Sequence, residues 1–205
     1  MDANIERLLR EYEERSAEEW RRVEELGPQA FASRDEMLLA VGRSTGQLLN
    51  ILARESNATS ILELGTSYGY SAVWLAEAAR DTGGTVTTIE LAAQKSAYAR
   101  AKLASVGLDR YVDFRVGDAV DMLESLPGPF DFVLVDLWKD LYVPCFDRFR
   151  DKLAEGAIVV ADNMLYPEMA RADAAAYQKR VRESGRFDSV LLPVGSGLEL
   201  SRLRG

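Results

Sequence analysis

Apolar residues recur every three or four positions near the N-terminus, and this spacing predicts an amphipathic helix. The positions that share it are Ile5, Leu8, Leu9, Tyr12, Trp20, Val23 and Leu26. Gly27-Pro28 follows and is expected to end the helix. A second helix is predicted over residues 44–55, where leucines again share one face. We expect the first helix to lie on the domain or on a second subunit.

Farther along the chain, the pattern changes to short and almost wholly apolar runs that end in turn or acidic residues. These runs are SILELGT (60–66), TVTTIEL (85–91), VDFRVGD (112–118), FDFVLVD (130–136) and AIVVADN (157–163). Helices are predicted between them at residues 70–80, 92–106, 120–126 and 144–153. Buried strands that alternate with helices are typical of a parallel sheet covered on both faces.

The C-terminal pattern differs again, because the runs at 187–195 and 197–205 follow a helix predicted at 171–183 with only Ser196 between them. This spacing predicts an antiparallel hairpin. The fold class is therefore α/β: a Rossmann-like, doubly wound, mostly parallel seven-stranded sheet with helices on both faces. We expect residues 1–205 to form one domain, with 1–33 as a helical extension and 34–205 as the core.

The charge and residue content exclude several functions. A formal charge of −8 argues against a nucleic-acid partner, because an acidic protein is repelled by a phosphate backbone. No apolar stretch is long enough for a membrane span, and the N-terminus has no apolar signal core, so we expect a cytoplasmic protein without a membrane partner. The chain has no histidine, so any metal must be held mainly by oxygen, as Mg²⁺ or Ca²⁺ is.

Acidic residues gather at the predicted strand ends, where open parallel sheets bind their ligands. In chain order these ends are Glu63-Leu64-Gly65, Glu90, Gly117-Asp118-Ala119, Asp136 and Asp162-Asn163. So many like charges in one crevice are costly unless cations or hydroxyl groups meet them. The strand ends are therefore the predicted ligand site.

The first of these ends predicts a turn that cradles a cofactor. It runs from Glu63 through Gly65, Thr66 and Tyr68 to Ser71, and its glycines allow the backbone to approach a ligand closely. It lacks the three-glycine spacing of the dinucleotide fingerprint, which disfavours a nicotinamide cofactor.

Two further strand ends complete the predicted cofactor site. Glu90 lies 25 residues after Gly65, where an acid can accept both ribose hydroxyls, and Asp118-Ala119 can contact an adenine edge. This combination favours S-adenosylmethionine, which has a carboxylate tail and no pyrophosphate. A plain strand-turn-helix unit with surface acids is the alternative.

Asp136, Asp162 and Asn163 offer hard oxygen ligands from two strand ends. An octahedral Mg²⁺ held by these residues would keep positions for water and for two substrate oxygens. Alternatively, Asp162-Asn163 turns the chain and Asp136 caps the next helix.

Several segments together resemble the cation-dependent O-methyltransferases, the family of catechol and caffeoyl-coenzyme A O-methyltransferases. They are AVGRSTGQLL (40–49), ILELGTSYGYSAVWLA (61–76), TTIEL (87–91), DFVLVDLWKDLY (131–142), VVADNM (159–164) and PVGSGLEL (193–200). The resemblance runs from about residue 37 to the C-terminus, and DLWKD is most similar to the catechol enzyme. It implies cofactor contacts at Val41, Glu63, Gly65, Ser71, Glu90, Ala119 and Asp136.

The resemblance also implies roles in catalysis. Asp136, Asp162 and Asn163 become the metal ligands, and Lys139 becomes the general base, although a solvated lysine at a helix start is the alternative. Trp138 is interpreted as an aromatic wall for a planar substrate rather than as core packing. Glu199 corresponds to an acid that accepts the second substrate hydroxyl, or it is a solvated strand residue. Substrate contacts are thus expected at Trp138, Lys139, Asn163 and Glu199.

Leu137 is a departure, because the animal catechol enzymes carry a histidine there. The predicted function is nevertheless methylation of one hydroxyl of a catechol-like small molecule by S-adenosylmethionine, assisted by Mg²⁺, Mn²⁺ or Ca²⁺. The alternatives are a caffeoyl-coenzyme A-like or other polyphenolic substrate, or a non-catalytic module that binds S-adenosylmethionine or a nucleoside. The apolar face of the N-terminal helix indicates a possible homodimer.

Overall fold

A single seven-stranded sheet forms the centre of the protein in a computed structural model that describes residues 1–26 and 36–205. The strands are β1 (Ser60–Leu64), β2 (Thr85–Glu90), β3 (Val112–Val116), β4 (Phe130–Val135), β5 (Leu153–Ala161), β6 (Phe187–Leu192) and β7 (Leu198–Leu203). Their order is β3-β2-β1-β4-β5-β7-β6. The first five strands are parallel, and β7 is antiparallel to β5 and β6. This confirms the predicted mixed sheet and its C-terminal hairpin.

Helices cover both faces of this sheet. They are α1 (Ala3–Leu26), α2 (Arg43–Glu55), α3 (Tyr70–Thr82), α4 (Ala93–Ala104), α5 (Ala119–Ser125), α6 (Tyr142–Phe149) and α7 (Arg171–Glu183). The prediction that the helix before β5 reaches residue 153 is wrong. After a 3₁₀ turn at Arg150–Lys152, Leu153 pairs with Phe130 across an irregularity in the β4–β5 register, so the strand starts earlier than its apolar run indicates.

The core has two apolar layers, one on each face of the sheet. Helices α1 to α4 contribute to the first layer, and α5 to α7 contribute to the second. The first half of α1 belongs to the first layer through four buried side chains, those of Ile5, Leu8, Leu9 and Tyr12. The prediction that this helix lies on the domain is therefore confirmed for its first half. The Gly27-Pro28 stop and the predicted boundary at residues 33 and 34 lie outside the described residues.

The sheet order places a crevice at the carboxyl end of the central strands. From β1 the chain proceeds outward through β2 and β3, and then returns to β4 on the other side of β1. The loops after β1 and β4 consequently leave in opposite directions and open a ligand crevice between them. Throughout residues 1–26 and 36–205, no helix has both the length and the apolar character needed to cross a membrane.

Candidate functional site

The turn between β1 and α3 lies directly against the end of β4. Gly65 has a φ of 100°, and a Cβ atom there would overlap the backbone carbonyl oxygen of Asp136. The amides of Gly65 and Thr66 both donate to the carbonyl oxygen of Ile89 in β2. Ser67 adopts a φ of 48° within the same turn. Glycine at position 65 is therefore what allows the turn to pass close to both neighbouring strands.

Glu63 is a fully buried acid at the base of this turn. Its Oε2 accepts a hydrogen bond from Thr88, whose hydroxyl also bonds that of Thr66. Its Oε1 receives no hydrogen bond of good geometry from a described residue, although the Ser71 side chain lies close enough to the carboxyl group to lower its pKa. Burial raises the pKa of Glu63 to about 7. A buried acceptor without a partner is costly, so this oxygen is ready for a ligand donor. Ser71, also expected at the site, is buried as the second residue of α3.

Glu90 holds the same turn from the end of β2. Its Oε2 accepts the Ser67 N–H at 2.8 Å, and its Oε1 accepts the Ala92 N–H at 2.9 Å. A carboxylate oxygen can accept more than one hydrogen bond, so each retains capacity for a hydroxyl. The arrangement suits the predicted acceptance of ribose hydroxyls.

The remaining residues predicted to bind the cofactor lie outside the Glu63–Gly65–Glu90 arrangement, or have side chains with other partners. Asp118 caps α5, because its Oδ1 accepts the N–H groups of Val120 and Asp121. Ala119 follows as the first, buried residue of α5, and Val41 is buried just before α2. The Tyr68 side chain faces α1 instead of the strand ends: its ring lies 4.1 Å from the Arg15 guanidinium. The Tyr68 side chain is therefore engaged with α1, and its role in the cofactor site stays a prediction.

Asp136 and Asp162 bring two acidic side chains together at the ends of β4 and β5. Asp162 is only 2% exposed, and its pKa is raised above the ordinary value, first by burial and then by the charge of Asp136. The Asn163 N–H donates to Asp162 Oδ1 at 2.7 Å. Asn163 has a φ of 56°, a left-handed conformation that asparagine tolerates better than most residues. Two carboxylates that repel one another in a buried setting are more stable beside a cation.

Lys139 lies next to this acidic pair with three acceptors around its Nζ atom. They are Tyr142 Oη at 2.7 Å, the Leu137 carbonyl oxygen at 2.8 Å and Asp136 Oδ1 at 3.3 Å. Its side chain is largely buried, so the alternative of a solvated lysine is wrong. Tyr142 was not among the predicted site residues, although its position three residues after Lys139 is a spacing that brings side chains together on a helix.

Trp138 and Glu199, two of the predicted substrate contacts, differ in position. Trp138 is 49% exposed beside Lys139, which fits a wall of the site better than core packing. Glu199 is fully buried in β7, where Arg182 donates to its Oε1 and Gln178 to its Oε2, each at 2.8 Å. Its pairing opposite Ala161 directs it toward α7. The alternative of a solvated residue is therefore wrong, and the contact of Glu199 with a substrate hydroxyl stays a prediction that would require release from Arg182 and Gln178.

The donor chemistry of the acidic pair fits a hard divalent cation. Asp136 and Asp162 supply carboxylate oxygens, and the adjacent Asn163 carries an amide oxygen, which are the ligand types that Mg²⁺ and Ca²⁺ prefer. Within the described part of the chain, no three His, Cys, Asp or Glu side chains cluster as a metal site. A metal here would consequently need the Asn163 amide or water as its third ligand.

The fold and site together define a class of protein. A Rossmann-like sheet with a glycine turn after β1 and a carboxylate after β2 is the framework of the S-adenosylmethionine-dependent methyltransferases. The sequence model of the O-methyltransferase family matches residues 13–204. The chain therefore belongs to the O-methyltransferase family.

Individual relatives agree with this family. A catechol O-methyltransferase from Niastella koreensis is 32% identical over 157 residues, covering 75% of this chain and 70% of the relative. Caffeoyl-CoA O-methyltransferase 2 from Eucalyptus globulus is 28% identical over 186 residues, covering 80% and 75%. The crystal structure of the O-methyltransferase TomG from Streptomyces achromogenes in complex with SAM superimposes with a TM-score of 0.77 at 27% identity, covering 100% and 91%.

Proposed function

We propose that this S-adenosylmethionine-dependent O-methyltransferase methylates one hydroxyl of a catechol-like small molecule with the help of a divalent cation. The observation that carries the proposal is the placement of Asp136, Asp162 and Lys139 at two adjacent strand ends, directly beside the Gly65 turn. A catechol O-methyltransferase among the relatives supports this substrate class. A non-catalytic binding module would leave these side chains without a task.

Asp136, Asp162 and Asn163 would hold the cation. When bound, Mg²⁺, or alternatively Mn²⁺ or Ca²⁺, supplies positive charge that favours ionisation of the neighbouring hydroxyl. The cation would also offset the repulsion between the carboxylates of Asp136 and Asp162. A bound cation would account for the burial of an acid such as Asp162, whose pKa is otherwise raised by desolvation and by the charge of Asp136.

Lys139 is proposed as the base that removes the substrate proton. A phenolic hydroxyl has a pKa of about 10, so only about one molecule in a thousand is ionised at neutral pH. The three acceptors around Lys139 Nζ match the three N–H groups of an ammonium ion. Lys139 must therefore first release one of these protons to solvent and give up the contact with Asp136, and only then can its neutral amine take the substrate proton.

Transfer of the methyl group is a displacement at carbon. The substrate oxygen, after giving its proton to Lys139, forms a bond to the methyl carbon while the carbon–sulfur bond breaks, and S-adenosylhomocysteine leaves. Alignment of oxygen, carbon and sulfur can contribute on the order of 7–11 kcal/mol. The contact of the Gly65 turn with the Asp136 backbone supports this step, because it brings the donor site and the proposed cation site together.

A second substrate class is favoured by the position of Glu199. The acid expected to accept the second catechol hydroxyl is occupied by Arg182 and Gln178. A caffeoyl-CoA O-methyltransferase is also among the relatives. A caffeoyl-coenzyme A-like or other polyphenolic substrate is therefore the alternative to a simple catechol.

The test is an assay of purified protein with S-adenosylmethionine, a catechol and EDTA. We expect methylated product that disappears after thorough chelation and returns with Mg²⁺. Activity that survives chelation would contradict the cation-dependent mechanism. A parallel assay with caffeoyl-coenzyme A separates the two substrate classes. Cofactor binding measured by calorimetry, without product from either substrate, would favour the non-catalytic module.

A further inference from the structure

The N-terminal helix contacts the cofactor turn through a row of polar side chains. Tyr12, Arg15 and Glu19 lie at intervals of three and four residues, so they share one face of α1. The buried Tyr12 hydroxyl donates to the Tyr68 carbonyl oxygen at 2.6 Å. Arg15 stacks on the Tyr68 ring at 4.1 Å. Helix α1 thus touches both the backbone and the side chain of a turn residue.

The same helix holds residues 36–41, which precede α2 and which we call the approach segment. Glu19 Oε2 accepts the Leu38 N–H at 2.7 Å, and Glu19 Oε1 accepts from Arg15 Nε at 2.7 Å. Arg15 also donates to the Glu36 carbonyl oxygen at 3.2 Å. One end of the approach segment is therefore fixed to α1 by charged partners, which make the stronger hydrogen bonds.

The approach segment in turn contacts the cofactor turn. The Ser67 hydroxyl donates to the Leu38 carbonyl oxygen at 3.2 Å, and the Tyr68 hydroxyl donates to the Glu36 carbonyl oxygen at 3.0 Å. Leu38 is therefore held at both backbone groups, by Glu19 on α1 and by Ser67 in the turn. Its side chain is fully buried. The contacts form a continuous connection from α1 to the turn.

This connection matters because the turn has an unfavourable backbone conformation. A positive φ at a residue with a side chain costs about 1–2 kcal/mol, and Ser67 adopts one. Such a conformation persists only where surrounding contacts determine it. Some of those contacts, at Tyr68 and Leu38, come from α1 or from the approach segment that α1 fixes.

We propose that Glu19 is a positioning residue for the S-adenosylmethionine site, acting through Leu38 and Ser67. Glu19 does not touch the turn itself; it orients the approach segment, whose contact with Ser67 pre-orders the turn for the methyl donor. Pre-ordering a binding loop increases affinity because less conformational entropy is lost on binding. The inference rests on S-adenosylmethionine as the methyl donor, and it is independent of the methyl acceptor and of any cation.

The test is calorimetric titration of the full chain with S-adenosylmethionine, without acceptor or metal. We expect Glu19→Ala to raise the Kd about 10-fold, because it removes the charged acceptor that holds both the Leu38 N–H and Arg15. Glu19→Gln should recover most of the affinity, because an amide oxygen can still accept the Leu38 N–H. The matched control is Glu18→Ala, at an exposed glutamate on the same helix, which should leave the Kd unchanged.

A double-mutant cycle separates positioning from general stability. If Glu19 acts through Leu38 and Ser67, the effects of Glu19→Ala and Ser67→Ala on the Kd should be less than additive. Titrations are run well below the melting temperature of each variant, so that a loss of stability alone does not change the Kd. A Glu19→Ala Kd within twofold of the parent value, or strictly additive effects, overturns the proposal.

Hydrogen exchange of the unmodified chain decides the matter if Glu19→Ala does not fold. Coupling between the approach segment and the turn requires slower exchange of the Leu38 backbone amide, which donates to Glu19, when S-adenosylmethionine is bound. An exchange rate that the methyl donor leaves unchanged rules the coupling out. A failure to methylate catechols leaves both readouts intact, so the two proposals can fail separately.

Discussion

The Nζ atom of Lys139 lies 2.7 Å from the hydroxyl oxygen of Tyr142, and this hydroxyl donates to the carbonyl oxygen of Asp162 at 3.2 Å. Burial holds the pKa of Tyr142 well above its ordinary value, so the phenol stays neutral and can accept and donate at once. The proposed base is thereby connected through Tyr142 to the strand end that carries a proposed metal ligand.

Replacement of Lys139 by alanine should lower kcat by about 10²- to 10⁴-fold, the usual effect of losing a general base. The affinity for S-adenosylmethionine should change little, since Lys139 contacts Asp136, Leu137 and Tyr142 and not the Gly65 turn. Initial rates and calorimetry measure the two quantities. Lys179→Ala, at an exposed lysine on α7, is the control and should retain full activity. Full turnover by Lys139→Ala would exclude the lysine as base.

Asp136→Asn and Asp162→Asn should each weaken the binding of Mg²⁺ more than they affect the stability of the fold. An amide retains an oxygen ligand but lacks the negative charge that attracts a divalent cation. The measurement is the Mg²⁺ concentration that gives half-maximal activity, which should rise for both variants. Asp140→Asn changes an exposed acid in the same loop and serves as the control. An unaltered Mg²⁺ requirement in all three variants would argue against the proposed ligands.

Gly65→Ala should destabilise the protein and abolish cofactor binding. The added Cβ atom would overlap the Asp136 carbonyl oxygen, and the φ of 100° is unfavourable for alanine. Gly83→Ala also meets a positive φ, of 73°, but its Cβ atom would have no neighbour within 4 Å. Gly83→Ala should therefore lower the free energy of unfolding by only about 1–2 kcal/mol. Denaturant unfolding and S-adenosylmethionine titration compare the two, and equal behaviour would show that the close approach is unimportant.

The stability of the ligand-free protein should fall as pH rises through the range in which Glu63 titrates. The pKa of Glu63 is about 7 in the folded protein and 4.5 for a glutamate in its ordinary state, so the folded state retains a proton that the unfolded state releases. The free energy of unfolding therefore decreases from about pH 4.5 upward. It stops decreasing above about pH 7, where Glu63 is ionised in both the folded and the unfolded state. A shift of this size corresponds to a loss on the order of 3 kcal/mol.

Glu63→Gln isolates this contribution, because the amide stays neutral at every pH. As pH rises from 5 to 8, the free energy of unfolding of the variant should increase relative to that of the parent chain. The reason is that burial raises the pKa of Glu63, and only the parent loses stability when this acid must ionise. Urea unfolding at several pH values measures it. A difference that does not vary with pH would mean that Glu63 is ionised in the folded protein.

Glu199→Gln should reduce stability while leaving the KM for a catechol nearly unchanged. The carboxylate is buried and accepts from Arg182 and Gln178, so its loss should cost about 1–3 kcal/mol, as for hydrogen bonds to charged groups. Thermal unfolding and steady-state kinetics give the two values. A large rise in KM with unchanged stability would instead restore Glu199 as a substrate contact.

Much of this architecture follows from local patterns in the chain. The alternation of apolar runs and helical segments predicted a parallel sheet, and the structure confirms it along with the C-terminal hairpin. The acids at the ends of β1, β2 and β4 were identified in the same way, because parallel strands bring their carboxyl ends to one edge. Periodicity and turn chemistry depend on neighbours along the chain, so they can be recognised without tertiary contacts.

The partners of individual side chains could not be predicted in this way. Glu199 stands in a motif that indicates a substrate contact, yet strand register and the position of α7 direct it to Arg182 and Gln178. Leu153 joins a strand because Phe130 is available to pair with it. By itself the sequence determined the elements, their order and the acidic strand ends. Only the tertiary structure decided which residues meet, because contacts between distant segments depend on register and on helix faces that local spacing leaves open.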